Sequence, residues 1–287
     1  MTSKRWALAS LAIWAVLAIG APLWTACLNI DPYSLAAKPN QPATFAHWLG
    51  TDEVGRDVLA RILYGARTSI VLAVGAATMA AVVGGGLGAL AGFFGGLFDE
   101  VVVRATEATA TMPKLPLLLL LSALTVPGGA WGRAFFVVVL LAAMAWPGPA
   151  RLARATAMTC RQAGYVEAST ALGASSLWVW RAHVWPRVLP VLAVGAASDV
   201  AQLILLESVL SYLGFGIPEP SPSLGNLMSG GLTVLLTAPM RVFMPGIVTV
   251  LIVASLHAVA DRWAARIDPY RSSPDRSWPA SVRDRNG

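Results

Sequence analysis

The chain has 287 residues, of which 56% are hydrophobic and 13% charged, a charged fraction about half that of an ordinary soluble domain. Its apolar residues come in blocks of about twenty, the length a helix needs to cross a hydrocarbon core of roughly 30 Å, so a soluble globular fold is excluded and the lipid bilayer is the expected solvent. The net charge of +6 does not indicate nucleic acid, because the basic residues alternate between loops instead of forming one patch interleaved with aromatics.

Lys4 and Arg5 precede the first block, Trp6 to Leu28. This run is longer than a signal-peptide core, and bulky Trp24 stands where a lipoprotein signal ahead of Cys27 wants a small residue, so residues 1–28 read as an uncleaved first span. Residues 29–67 form an extracytoplasmic segment. In it Thr51, Asp52 and Asp57 can cap turns, Gly50 and Gly55 permit them, and Arg56 or Arg61 can pair with the acids. These residues either hold the loop's own fold or offer a docking surface.

A membrane-spanning core is expected over 68–267. Its second span, Thr68 to Leu90 or slightly beyond, carries Gly84, Gly88, Gly92 and Gly96 at a spacing of four. That spacing keeps them on one helical face, where missing side chains let another helix approach. Such a face serves packing within the subunit, or a contact at a subunit interface or pore. Glu100, Arg104, Glu107, Thr111 and Lys114 then recur at helical spacing, so that Glu100 with Arg104, and Arg104 with Glu107, can neutralise each other. A charge at the bilayer centre costs about 2.5–3.5 kcal/mol on insertion scales, so this face must meet headgroups, water or protein. It is either an interfacial helix that turns inward near Pro113 and Pro116, or the lining of a pathway or its inner gate.

Third and fourth spans are drawn from Ala105 to Val126 and from Ala134 to Trp146, the latter ended by Pro147 and Pro149. The fifth, Pro190 to Leu210, holds Asp199 and Gln202 at its middle and Glu207 near its outer end. An intramembrane carboxylate is a pathway candidate by default, the alternative being a helix cap or a contact with cavity water. The sixth runs from Val242 to Ala260, and the tail 268–287 reads as an irregular end. Basic residues before the first span, between the fourth and fifth, and after the sixth place all three segments in the cytoplasm, both termini included.

The cytoplasmic loop 150–187 contains two helical patterns, Gln162 to Leu172 and Ser176 to His183. Gly173 can take the left-handed conformation that ends the first, and Ser175 or Ser176 can cap the second. The product is a helix, a tight turn and a helix, a knob shaped to enter a groove on a partner.

Glu167, Ala168, Gly173 and Pro186 resemble the EAA signature of permease subunits in bacterial ABC importers. Ser169 replaces the second alanine of that signature, and HVWP, from His183 to Pro186, replaces a more aliphatic run. HWLGTDEVGRDVLARILYGART, from His47 to Thr68, AGFFGG, from Ala91 to Gly96, and ESVLSYLGFGIPEPSPSLGNLM, from Glu207 to Met228, are similar to segments of the dipeptide, oligopeptide and nickel group, specifically the second of its two permease types, although Leu224 stands where a tryptophan is usual. The resemblance implies an all-α polytopic bundle of about six spans like that of a type I ABC importer permease, in a bacterial inner membrane. It implies as partners a distinct second permease in a heterodimer, two ATPase subunits or domains that bind the ATP, and an extracytoplasmic solute-binding protein. The knob would then be the coupling helix seated in the ATPase.

No phosphate loop of the form G-x-x-x-x-G-K-[ST] occurs. The three histidines, His47, His183 and His257, do not cluster, and the two cysteines show no ligand spacing, so neither a metal nor another cofactor is expected. No catalytic constellation appears, and a non-enzymatic transport subunit is expected. An ion-coupled secondary transporter working through Asp199 is the rival class, although no internal repeat supports it. Peptide is the expected cargo, with nickel or a metal chelate as the alternative.

Overall fold

A computed structural model describes residues 14, 16–18, 20–28, 30–35, 37–124, 129–229 and 238–267. Residues 6–13, 15 and 19 of the expected first span and all of the tail lie outside these residues. Among the described residues every regular element is a helix, and the sole strand-like feature is an isolated antiparallel bridge between Thr51 and Asp57.

After the short helix α1 (Ala21–Cys27), the chain enters α2 (Val58–Phe94), 37 residues long. It begins well before Thr68 because Asp57 caps it, the carboxylate accepting the Ala60 N–H at 2.8 Å. Gly95 and Gly96 both have φ near +70°, where only glycine sits without strain, and the chain turns there into α3 (Gly96–Thr111). Proline disfavours the helical region for the residue before it, and Met112 before Pro113 is extended at φ −68°, ψ 138°. The expected third span is therefore split into α3 and α4 (Lys114–Ser122).

The fourth span departs from expectation in the opposite way. Pro147 begins a helix instead of ending one, since its missing N–H is no loss in a first turn. Helix α5 (Gly129–Ala145) runs through Trp146 into α6 (Pro147–Arg161) with a bend of 47°. Residues 150–161, the first part of the expected loop 150–187, are thus helical and continue from α5 past the bend. The knob follows as α7 (Gly164–Ala171) and α8 (Ser176–Val179). A π turn, Trp180–Val184, leads into α9 (Trp185–Tyr212). Pro186 lacks the N–H that an α turn would direct at Ala182, and the chain passes this point in the wider register. Helices α10 (Leu224–Met228) and α11 (Pro239–Ile267) complete the described chain.

Among the described residues three stretches are long and apolar enough to cross a membrane, Val58–Phe94, Ser176–Tyr212 and Pro239–Ala265, and the bent pair α5–α6, counted as one span, would add a fourth. The bundle has two apolar centres. One joins α2, α4, α5, α9, α10 and α11 through residues such as Ala73, Leu118, Leu141, Ile204, Leu224 and Ile252. The other joins the ends of α2 and α6 to the knob.

The glycine face of α2 decides how α6 lies. A Cβ on Gly84, Gly88 or Gly92 would overlap the carbonyl oxygen of Trp146, Ala150 or Arg154 respectively. The partners advance together, so the two helices run parallel with backbones in contact, and these glycines serve packing inside the subunit. Gly96 is not part of the face, because nothing lies within 4 Å of its notional Cβ. At the foot of this contact, Arg154 donates to Asp99 of α3 through two nitrogens, Nε to Oδ1 at 2.5 Å and Nη2 to Oδ2 at 2.6 Å. Those bonds hold the Asp99 carboxyl below the usual carboxylate range.

Substituting Gly88→Val should prevent assembly of the bundle, because the obstacle is backbone and cannot rotate away. Gly86→Ala, two residues off and facing open space, should be neutral or stabilise by up to about 1 kcal/mol. Detergent thermal-unfolding midpoints for the two variants check this, and equal losses would refute the packing assigned to the face.

Candidate functional site

The knob is built on a helix stop of the Schellman type. Gly173 has φ +87°; its N–H donates to the Thr170 carbonyl at 3.0 Å, and the Ala174 N–H donates to the Ser169 carbonyl at 3.1 Å. Ser175 caps α8, its hydroxyl accepting the Trp178 N–H at 3.3 Å. The underside is apolar and closed, with Val166, Val179 and Val184 buried against Phe93, Ala157 and Leu192. The crest is open: Glu167, Ala168 and Gly173 are exposed, as are Leu177 and Trp178, and Leu172 is 90% exposed.

His183 and Pro186 stand apart from that crest. The His183 ring is half-buried between Tyr165, at 5.5 Å, and Trp178, at 5.4 Å between centroids. The Arg187 guanidinium lies over the Tyr165 ring at 4.5 Å from its centre. These ring contacts link α7, α8 and the first turn of α9. Pro186 is exposed in the first turn of α9.

The charged residues singled out in the sequence separate into three places. Glu100 and Arg104 form an exposed ion pair on α3 at 2.6 Å, Glu107 is exposed, and no ion pair joins it to Arg104. Lys114 lies beyond the Met112–Pro113 break and faces a cavity of about 400 Å³ shared with Asp199, Gln202 and Arg151. Glu207 is fully buried elsewhere: Ser69 of α2 and Ser211 of its own helix each donate to its carboxylate at 2.6 Å. Ser69 in turn accepts the Leu224 N–H at 3.2 Å. Glu207 thereby ties α2, α9 and α10 together and does not meet Asp199.

The end of the bundle away from the knob is closed by a charge cluster. Asp52 accepts from the Val54 and Arg56 N–H groups at 3.0 and 2.8 Å, and from Arg56 Nε at 2.7 Å. Arg61, only 2% exposed, donates to Asp52 at 3.3 Å and to Glu219 at 2.8 Å. Arg56 also reaches Glu219, at 2.7 Å. Thus the segment before α2 is locked to the segment after α9. Arg133 of α5 braces the same end by donating to four carbonyls, those of Ser122, Leu124, Phe215 and Gly216, at 2.6 to 3.2 Å. Sequence reasoning missed Glu219, Arg133 and the Asp99–Arg154 pair; a lone arginine within an apolar stretch was the available signal for Arg133.

Residues 84–272 match the family model described as "Binding-protein-dependent transport system inner membrane component". A Brucella suis protein named as a peptide permease is 33% identical over 250 residues, spanning 86% of this chain and 80% of the relative. The oligopeptide transport system permease protein OppC of Bacillus subtilis is 32% identical over 230 residues, 80% of this chain and 74% of the relative. OppC of Mycobacterium tuberculosis H37Rv is 32% identical over 229 residues, 80% and 78%. Among solved structures, inward-facing MetNI methionine ABC transporter matches with a TM-score of 0.56 at 17% identity, over 73% of this chain and 97% of that one, which shows the same fold.

Replacing Arg61 by Met should leave Asp52 short of a buried cation and lower stability by about 3 kcal/mol. Glu219→Gln, at a half-exposed carboxylate, should cost roughly 1 kcal/mol or less. Thermal unfolding of the purified complex at low and high salt checks the order, and a cost at Glu219 equal to that at Arg61 would contradict the burial argument.

Proposed function

We propose that this chain, which belongs to the family of binding-protein-dependent transport system inner membrane components, forms half of the translocation pathway of an ATP-driven importer for peptides. A distinct second permease supplies the other half, two ATPase subunits or domains bind and hydrolyse the ATP, and an extracytoplasmic solute-binding protein delivers the cargo. Both termini and the knob face the cytoplasm. The peptide assignment rests on the peptide and oligopeptide permeases that are about a third identical over most of the chain.

The observation that carries the coupling role is the asymmetry of the knob. Its underside is rooted in the ends of α2, α6 and α9, and its crest offers Leu172, Leu177 and Trp178 to solvent. Large exposed apolar side chains on a rigid protrusion fit the central anchors of a protein interface. A partner that gripped the crest and moved would drag the cytoplasmic ends of three helices with it. The knob transmits force and carries no chemistry of its own. The Arg56, Arg61 and Glu219 cluster holds the opposite end together while that happens.

A β-branched residue at Gly173 meets no neighbour, since nothing lies within 4 Å, but its positive φ costs on the order of 1–3 kcal/mol. In Gly173→Val the crest should distort, and the reconstituted complex should hydrolyse ATP with transport reduced about tenfold or more. Gly173→Asn, which tolerates that backbone conformation, should retain coupling. Normal transport by an assembled Gly173→Val complex would overturn the coupling role. Uptake of labelled dipeptide, compared with nickel, in a strain lacking this chain tests the cargo, and restoration of nickel uptake alone would replace peptide with metal.

A further inference from the structure

The cavity at the bend of the fourth span combines features that no packing role explains. It holds about 400 Å³, within the range of small-ligand pockets, roughly 300–1,000 Å³. It lies where two helices are interrupted: Lys114 opens α4 just past the Pro113 break, and Pro147 and Gly148 line the pocket at the 47° bend. Interrupted helices at membrane depth are tolerated where they line a cavity and are a recurrent way to build ligand sites.

Charges of opposite sign face the cavity from different elements. Lys114 comes from α4, Arg151 from α6, and Asp199 with Gln202 from α9. Lys114 is near enough for its charge to act on Asp199, yet no ion pair within 4.0 Å joins them, and Asp199 has no hydrogen-bond partner among the described residues. Arg151 turns its Nε to the Pro147 carbonyl at 3.3 Å and pairs with no carboxylate. By contrast, Asp99, Glu207, Asp52 and Asp57 all have partners. Charges left apart in an apolar bundle are costly unless a ligand or water answers them.

We propose that this cavity is a transport subsite that reads the two ends of a zwitterion, Asp199 and Gln202 receiving an ammonium group while Lys114 and Arg151 receive a carboxylate. The ligand class is a short peptide, or another small zwitterion, with free termini. This inference rests on the peptide-pathway reading above and adds to it a selection step inside the membrane, separate from any delivered by the solute-binding protein.

The test uses the intact complex in nanodiscs without solute-binding protein, and equilibrium dialysis of labelled dialanine, N-acetyl-dialanine and dialanine amide. The native complex should bind dialanine at least about tenfold more tightly than either blocked form, the scale of one charged hydrogen bond. Asp199→Asn should abolish the preference over the N-acetyl form and keep the preference over the amide. Lys114→Gln combined with Arg151→Gln should do the reverse, an opposition that a general folding defect cannot produce. Equal binding of all three ligands by the native complex, no binding of dialanine, or the same loss in both variants would overturn the subsite. Uptake of dialanine by the native complex with its binding protein is measured in parallel: its absence defeats the peptide reading, whereas uptake without charge-dependent binding defeats the subsite alone.

Discussion

The backbone contact between α2 and α6 through Gly84, Gly88 and Gly92 is the constraint on which the rest of the bundle depends. Lipid tails are as apolar as leucine, so helices in a bilayer gain little from hiding apolar side chains from each other, and association falls to close packing and polar bonds. A face without side chains brings two backbones within contact distance and multiplies the weak attractions between them. With α6 held parallel to the C-terminal half of α2, the chain bends by 47° between α5 and α6, and α5 packs on α2 farther up. Arg154 is delivered to Asp99, and the chain leaves α6 at the level where Ala89 and Phe93 can root the knob.

The two ends of the molecule are finished differently, and the difference suits an importer subunit. Away from the knob, Arg56 and Arg61 share Asp52 and Glu219, and Arg133 takes four carbonyls at once. Glu207, with its two serines, adds a buried tie just below. At the knob end the contacts are mainly apolar and lie on one side, leaving a crest of leucines and tryptophan without a partner among the described residues. One end is thus tied by charge pairs, and the other protrudes with an open apolar crest. Between them, at the interrupted levels of α4 and α6, lies the charged cavity.

The helical class and the knob were legible because their causes are local. Gly173 takes φ +87° and Ser175 caps the next helix, both consequences of residue type at a short range. The glycine spacing pointed to a close helix contact but not to its partner, since a face free of side chains is equally compatible with α6, a second subunit or a pore. Prolines were harder to read. Pro113 does break a helix, whereas Pro147 starts one, because what a missing N–H costs depends on whether a helix precedes it in the same direction.

By itself, the sequence determined that the chain lives in lipid, that it is built of helices, and that a glycine-stopped helix pair protrudes between the bent fourth span and α9. Each follows from composition, periodicity or one residue's backbone freedom. Only the tertiary structure decided which charges meet: Glu207 with Ser69, more than a hundred residues away in sequence, Arg61 with Glu219, and Lys114 and Asp199 across a shared cavity. Charge pairing between distant segments depends on helix rotation and depth, which packing sets and which no spacing along the chain encodes.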